Sequence, residues 1–164
     1  MQKDFETLFY KAEDDYLESS DLQSLKQKAL ILQESLKIYQ EIRDQELLIF
    51  QSVANSLLEE FPDENRQRLE QALQHWISVM RYGSMAMLLN NPDYLRHRLL
   101  EWLTDIIHAQ KMVEIENYIF EKLMKELEEV LTIEQMVILT PFLQQARMIL
   151  LETKPQCETL KVEA

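Results

Sequence analysis

The sequence predicts an all-α protein, and three observations carry that prediction. Its 164 residues include a single glycine and four prolines, too few for the tight turns a sheet requires. Two long stretches, 21–61 and 93–131, contain neither residue. Along both, apolar residues recur every three or four positions, the period of one helix face rather than the alternation of a strand.

The first helix is expected over Lys3–Leu17, with Phe5, Leu8, Phe9, Ala12 and Tyr16 on one face. Ser19 and Ser20 end it, and Ser20 with Gln23 three places on reads as a capping box opening the next helix. Leu22, Leu25, Ala29, Leu32, Leu36 and Tyr39 then form an apolar seam. The next two seam positions are Arg43 and Glu46, and the seam resumes at Phe50, Val53 and Leu57. An unbroken coiled coil would keep those two positions apolar. Two helices, or one bent helix, are therefore expected to change partners near Arg43–Glu46, with Pro62–Asp63 closing the segment.

The most apolar helix follows, over about Glu64–Leu89. Leu69, Leu73, Trp76, Met80, Gly83 and Met87 share a line, and Ala72, Val79 and Ala86 widen it. A helix apolar over more than half its circumference belongs at the centre, contacted from several sides. Gly83 costs roughly 1 kcal/mol of helix propensity relative to Ala, and a close helix crossing there is the expected offset. Asn91–Pro92 reads as an N-cap followed by proline at the first helical position. The segment 93–131 is too long for one globular helix, so a corner is expected at His108–Lys111. Thr132 with Gln135 makes a capping box, and Thr140–Pro141 reads as a further cap-plus-proline start for a last helix running to about Glu152. One domain over 1–152 and a flexible tail over 153–164 result, the hydrophobic share of 46% being enough for one core.

The formal net charge of −12 would be repelled by nucleic acid or an anionic bilayer, so neither is expected as a partner. The run 76–89 carries Ser78, Arg81 and Ser84 and is too short to span a membrane. The opening Met1–Asp4 lacks the apolar core of a signal peptide, and Cys157 is the single cysteine; both predict a reducing, cytoplasmic location. The sequence has no Gly-rich phosphate loop, no nucleophile elbow and no zinc-type Cys or His spacing, so no catalysis and no metal centre are expected. His75 lies beside Trp76, His97 in the polar stretch 94–98, and His108 at the expected corner. His75 and His108 are the candidates for haem ligation, against the commoner role of a hydrogen-bonded histidine at a helix contact. Met80, Met85, Met87, Met112, Met124 and Met148 either line an adaptable cavity or fill an ordinary core.

Taken together, Tyr16–Leu17 before a serine-rich corner, the gap-free stretch through Leu36, Ile38, Ile42, Ile49 and Asn55–Leu57, its stop at Pro62, and Tyr82–Gly83 on the central helix resemble the α and β chains of phycobiliproteins. The resemblance covers roughly 12–151 and implies a globin-like fold with an N-terminal helical hairpin extension. The stretch from Tyr82 to Arg96, with Leu99–Trp102 following, resembles a subgroup still more closely: the small phycobilisome-protein-like globins linked to haem-to-bilin metabolism. Phycobiliproteins attach an open-chain tetrapyrrole through a thioether to a cysteine on this helix. Counted back from Tyr82–Gly83, that place is held by Leu69; the Arg and Asp that hold the pigment correspond to Gln71 and Ala72, and the arginine of the α–β contact corresponds to Ser78.

The resemblance, with these departures, implies no covalent cofactor and a non-catalytic binding or regulatory role in bilin metabolism or phycobilisome assembly. A pocket by Leu69, Ala72, His75, Trp76 and Met80 is the expected place for a non-covalent bilin. Proteins of bilin biosynthesis or of the phycobilisome are the expected partners, and a homodimer is expected through the N-terminal helical pair. A haem-binding sensor and a purely structural adaptor are the alternatives.

Overall fold

The amphipathic opening segment forms α1, Gln2–Asp14, and the chain turns at Asp15–Glu18. The computed structural model describes residues 2–152, and the tail expected over 153–164, with Cys157, lies outside them. The next helix, α2, spans Ser19–Glu60 without interruption, about 60 Å at 1.5 Å per residue. Its cap is Glu18 rather than Ser20: the Glu18 backbone N–H donates to the Asp21 carboxylate at 3.2 Å, which Lys11 of α1 also contacts at 2.6 Å. An acid three places into the helix answers both the free N–H groups and the positive end of the dipole, a stronger partner than Gln23.

The division into two helices expected at Arg43–Glu46 does not occur, because α2 is helical throughout. Arg, Glu and Gln are good helix formers, and Glu46 finds its counter-charge on another helix instead of breaking its own. That helix is α3, Arg66–Leu89, opened by Asn65, whose side chain accepts from the Gln67 N–H at 2.8 Å. It ends at Asn90, which takes the left-handed conformation (φ 44°). Asn91 then accepts from the N–H groups of Asp93 and Tyr94 and starts α4, Pro92–Leu95, as the Asn-Pro pair predicts. A π-helical turn over Arg96–Leu100 leads into α5, Glu101–Ala109. The corner expected at 108–111 is present, with Lys111 at φ 54°.

Helix α6, Val113–Val130, and helix α7, Ile133–Arg147, complete the order, and Met148–Glu152 close it with a second π-helical turn. The Thr132–Gln135 capping box forms, at 2.8 and 3.3 Å. Pro141, however, lies inside α7 and starts nothing. Proline costs the helix one hydrogen bond, but Leu139, Leu143, Ala146 and Leu150 are all fully buried and make one continuous stripe across it. A break at Thr140 would pull half that stripe out of the core.

The described residues are all-helical or irregular, with no strand among them. Helix α3 sits at the centre, with α2, α6 and α7 packed around it. Trp76 is 0% exposed and meets Phe120 of α6 with ring centroids 5.4 Å apart. The Ser52 hydroxyl donates to Glu126 at 2.6 Å and the Tyr118 hydroxyl to the Ser56 carbonyl at 3.2 Å, fastening α2 to α6. The close crossing expected at Gly83 is only moderately close: a methyl group there would meet Leu143 Cδ2 at 3.5 Å, an ordinary contact. Helix α2 changes character along its length. Its first buried residue is Ser35, and no described side chain from Thr7 to Glu34 is fully buried.

Candidate functional site

The five residues expected to line a pocket all lie on α3, and the fold turns them inward. Leu69, Ala72, Trp76 and Met80 are 0–3% exposed members of the central apolar core. They pack on neighbouring helices, and the clefts described below are lined by other residues. The methionines divide likewise: Met80, Met87 and Met112 are core residues, whereas Met148 is exposed.

His75 is different. Its Nδ1 lies 2.6 Å from Glu116 Oε1, and the two side chains are 11% and 0% exposed. Glu116 belongs to the inner stripe of α6, Glu116–Ile119–Leu123–Leu127, which continues from the capping Met112 and in which every other member is apolar and buried. Burial raises the Glu116 carboxyl above its ordinary value of 4.5, and the hydrogen bond and charge of His75 pull it back down. The Trp76 indole N–H also favours the ionised carboxylate, though from outside hydrogen-bonding geometry: neither Trp76 Nε1 nor Glu116 Oε2 has a hydrogen-bond partner. His108 keeps its Nε2 buried and unpartnered. His97 is exposed and pairs with Glu101 at 2.9 Å. Among the described residues no three His, Cys, Asp or Glu side chains gather as a metal site.

Two clefts flank α3. The first, about 300 Å³ and mostly apolar, lies where α2 leaves the body and is lined by Ile31, Ser35, Met87, Ile138, Pro141 and Phe142, among others. The second, about 240 Å³, is lined by Tyr39, Ile42, Arg43, Glu46, Arg81 and Ser84. Arg81 donates from Nε and Nη2 to the two Glu46 oxygens at 2.8 and 2.5 Å. Sequence reasoning did not find this second cleft, although its signal was present in the two polar seam positions, Arg43 and Glu46.

A further set of exposed apolar side chains lies on α1 and the first half of α2. Phe9 and Tyr10 of α1 are 65% and 67% exposed, and Leu22, Leu30, Ile31 and Leu36 of α2 are between 45% and 56% exposed. No helix among the described residues is long and apolar enough to cross a membrane.

Residues 8–148 match the family model described as phycobilisome protein. No curated protein matches the chain.

Proposed function

The chain belongs to the phycobilisome protein family, and from that premise we propose that it is a non-catalytic member carrying no covalent pigment, which binds proteins of bilin metabolism or of phycobilisome assembly in the cytoplasm. One observation carries the reading. At the place where the family's pigment-bearing cysteine would stand is Leu69, 3% exposed, and at the place of the carboxylate that balances the pigment's charge is Ala72, 0% exposed. Neither offers a nucleophile or a counter-charge, and core packing occupies the space beside them. The residues present do not fit a covalently held bilin.

What remains for function is surface, and the exposed apolar residues of α1 and the first half of α2 support docking of a partner or of a second copy. Capture from a pigmented lysate, followed by absorption spectra and identification of the eluate, tests the proposal. A bilin-pathway enzyme or a phycobiliprotein subunit is the expected recovery. A preparation that captures neither, yet is folded by circular dichroism, removes it.

A second reading, a haem-binding sensor, is favoured by the His75–Glu116 pair, since metal-bound histidines usually give their other ring nitrogen to a carboxylate or carbonyl. Haem titration decides it. A Soret band lost in His75→Ala or His108→Ala supports a haem site, and a flat titration ends it.

A further inference from the structure

The two polar positions that interrupt the apolar seam of α2 do not interrupt the helix. They wall the 240 Å³ cleft against α3, opposite Arg81 and Ser84. Ser84 is 2% exposed and its hydroxyl has no hydrogen-bond partner. A helical hydroxyl ordinarily relieves itself on the carbonyl one turn back, as Ser78 does on Gln74 at 2.9 Å and Thr104 on Leu100 at 2.8 Å. Ser84 does not. Arg81 uses one edge of its guanidinium on Glu46, and Arg43 uses one edge on Asp44 at 2.8 Å. A guanidinium carries five donors in a planar fork, so both arginines keep unused N–H groups. The carboxylates beside them are already engaged. The unspent capacity of the cleft is therefore donor capacity, and it calls for an acceptor.

We propose that this cleft between α2 and α3 binds a small organic monocarboxylate, its oxygens on Arg81, Arg43 and the Ser84 hydroxyl and its apolar body against Ile42 and Tyr39. Charge selects the monoanion. The free N–H groups of Arg43 and Arg81 suit one carboxylate, but their charges are already balanced by Asp44 and Glu46 inside a chain of net charge −12, so each further negative charge on the ligand adds repulsion. Size limits the body, because drug-sized ligands occupy cavities of about 300–1,000 Å³ and this one is smaller.

NMR titration of the full chain with benzoate tests the assignment, with benzamide and inorganic phosphate as controls. Saturable shifts at Ser84 and around Arg81, with a Kd of about 1 mM or tighter, are expected for benzoate. Benzamide and phosphate should bind about tenfold more weakly, and Arg81→Gln, whose side chain is 65% exposed, should cost benzoate about tenfold as well. Ser84→Ala should weaken benzoate and yet raise the melting temperature of the free chain by about 2–4 °C, because an unpaired buried hydroxyl is removed. Absence of saturable shifts at these residues, equal binding of benzoate and benzamide, or an unchanged affinity in Arg81→Gln would each overturn it.

Discussion

The body and the N-terminal arm of this chain are built from similar residues put to opposite uses. In α3 the inward apolar positions are covered, and Trp76 and Ala72 lose all their exposure. In α1 and the first half of α2, by contrast, apolar side chains stay at the surface, with Leu22, Leu30 and Ile31 more than half exposed. A long amphipathic helix gains most of its stability from packing its apolar face, and no described side chain of α2 before Ser35 is fully buried. The contrast teaches that periodicity reports which face of a helix is apolar, not what covers it. In the body Leu69 and Ala72 are packed into the core, whereas in the arm apolar side chains of α1 and α2 stay exposed.

The difference predicts which substitutions damage the fold. Trp76→Ala should cost the most, roughly 3–5 kcal/mol, read as a loss of denaturant midpoint with an unchanged slope. His75→Ala comes next, at roughly 3 kcal/mol near neutral pH, because it strands the Glu116 carboxyl in the core. That cost has a pH signature. The folded-state pKa of Glu116 is raised above the unfolded value, so the folded chain holds a proton that the unfolded chain has already released. Its stabilising effect is complete at low pH and fades as pH rises through the folded pKa. Without His75 that pKa climbs further, so the deficit of the variant should widen from acidic to neutral pH in urea unfolding curves. Parallel curves for the two proteins would remove the pairing from the account.

Gly83→Ala should act in the other direction. With Leu143 Cδ2 at 3.5 Å there is room for the methyl group, and the gain in helix propensity is about 0.5–1 kcal/mol, seen as a higher melting temperature. The smallest effect on the fold belongs to the arm. Leu30→Glu, at a position 56% exposed, should leave the stability of the isolated chain within about 0.5 kcal/mol while lowering any self-association seen in sedimentation. A large loss of monomer stability would place that leucine in the core and dissolve the distinction between the two regions.

Much of this arrangement is readable from local sequence. The line Leu69–Trp76–Met80–Met87, the Asn91–Pro92 start, the Thr132–Gln135 box and the corner at 108–111 each follow from residues within a few positions of one another, and all appear in the fold. The errors share a cause of the opposite kind. The polarity of Arg43 and Glu46 looked like a boundary between two helices because Arg81, 35 residues from Glu46, is invisible to a local reading. Pro141 looked like a start because the stripe through Leu143 and Leu150 outweighs one missing hydrogen bond. The residues expected around a pocket by Leu69 and Trp76 lie in the core on α3, and a local reading does not separate the walls of a cavity from the filling between helices. Glu116 was legible in principle, since it occupies an apolar stripe of α6.

The central claim is that the core of this phycobilisome-family protein holds hydrocarbon where its pigmented relatives hold a dye. Intact mass spectrometry of the full chain, produced together with a bilin-synthesising pathway, tests it most directly. The account predicts the unmodified polypeptide mass and no visible absorption after denaturation in acid. A mass raised by one bilin, with the absorption following the polypeptide through denaturation, would contradict it.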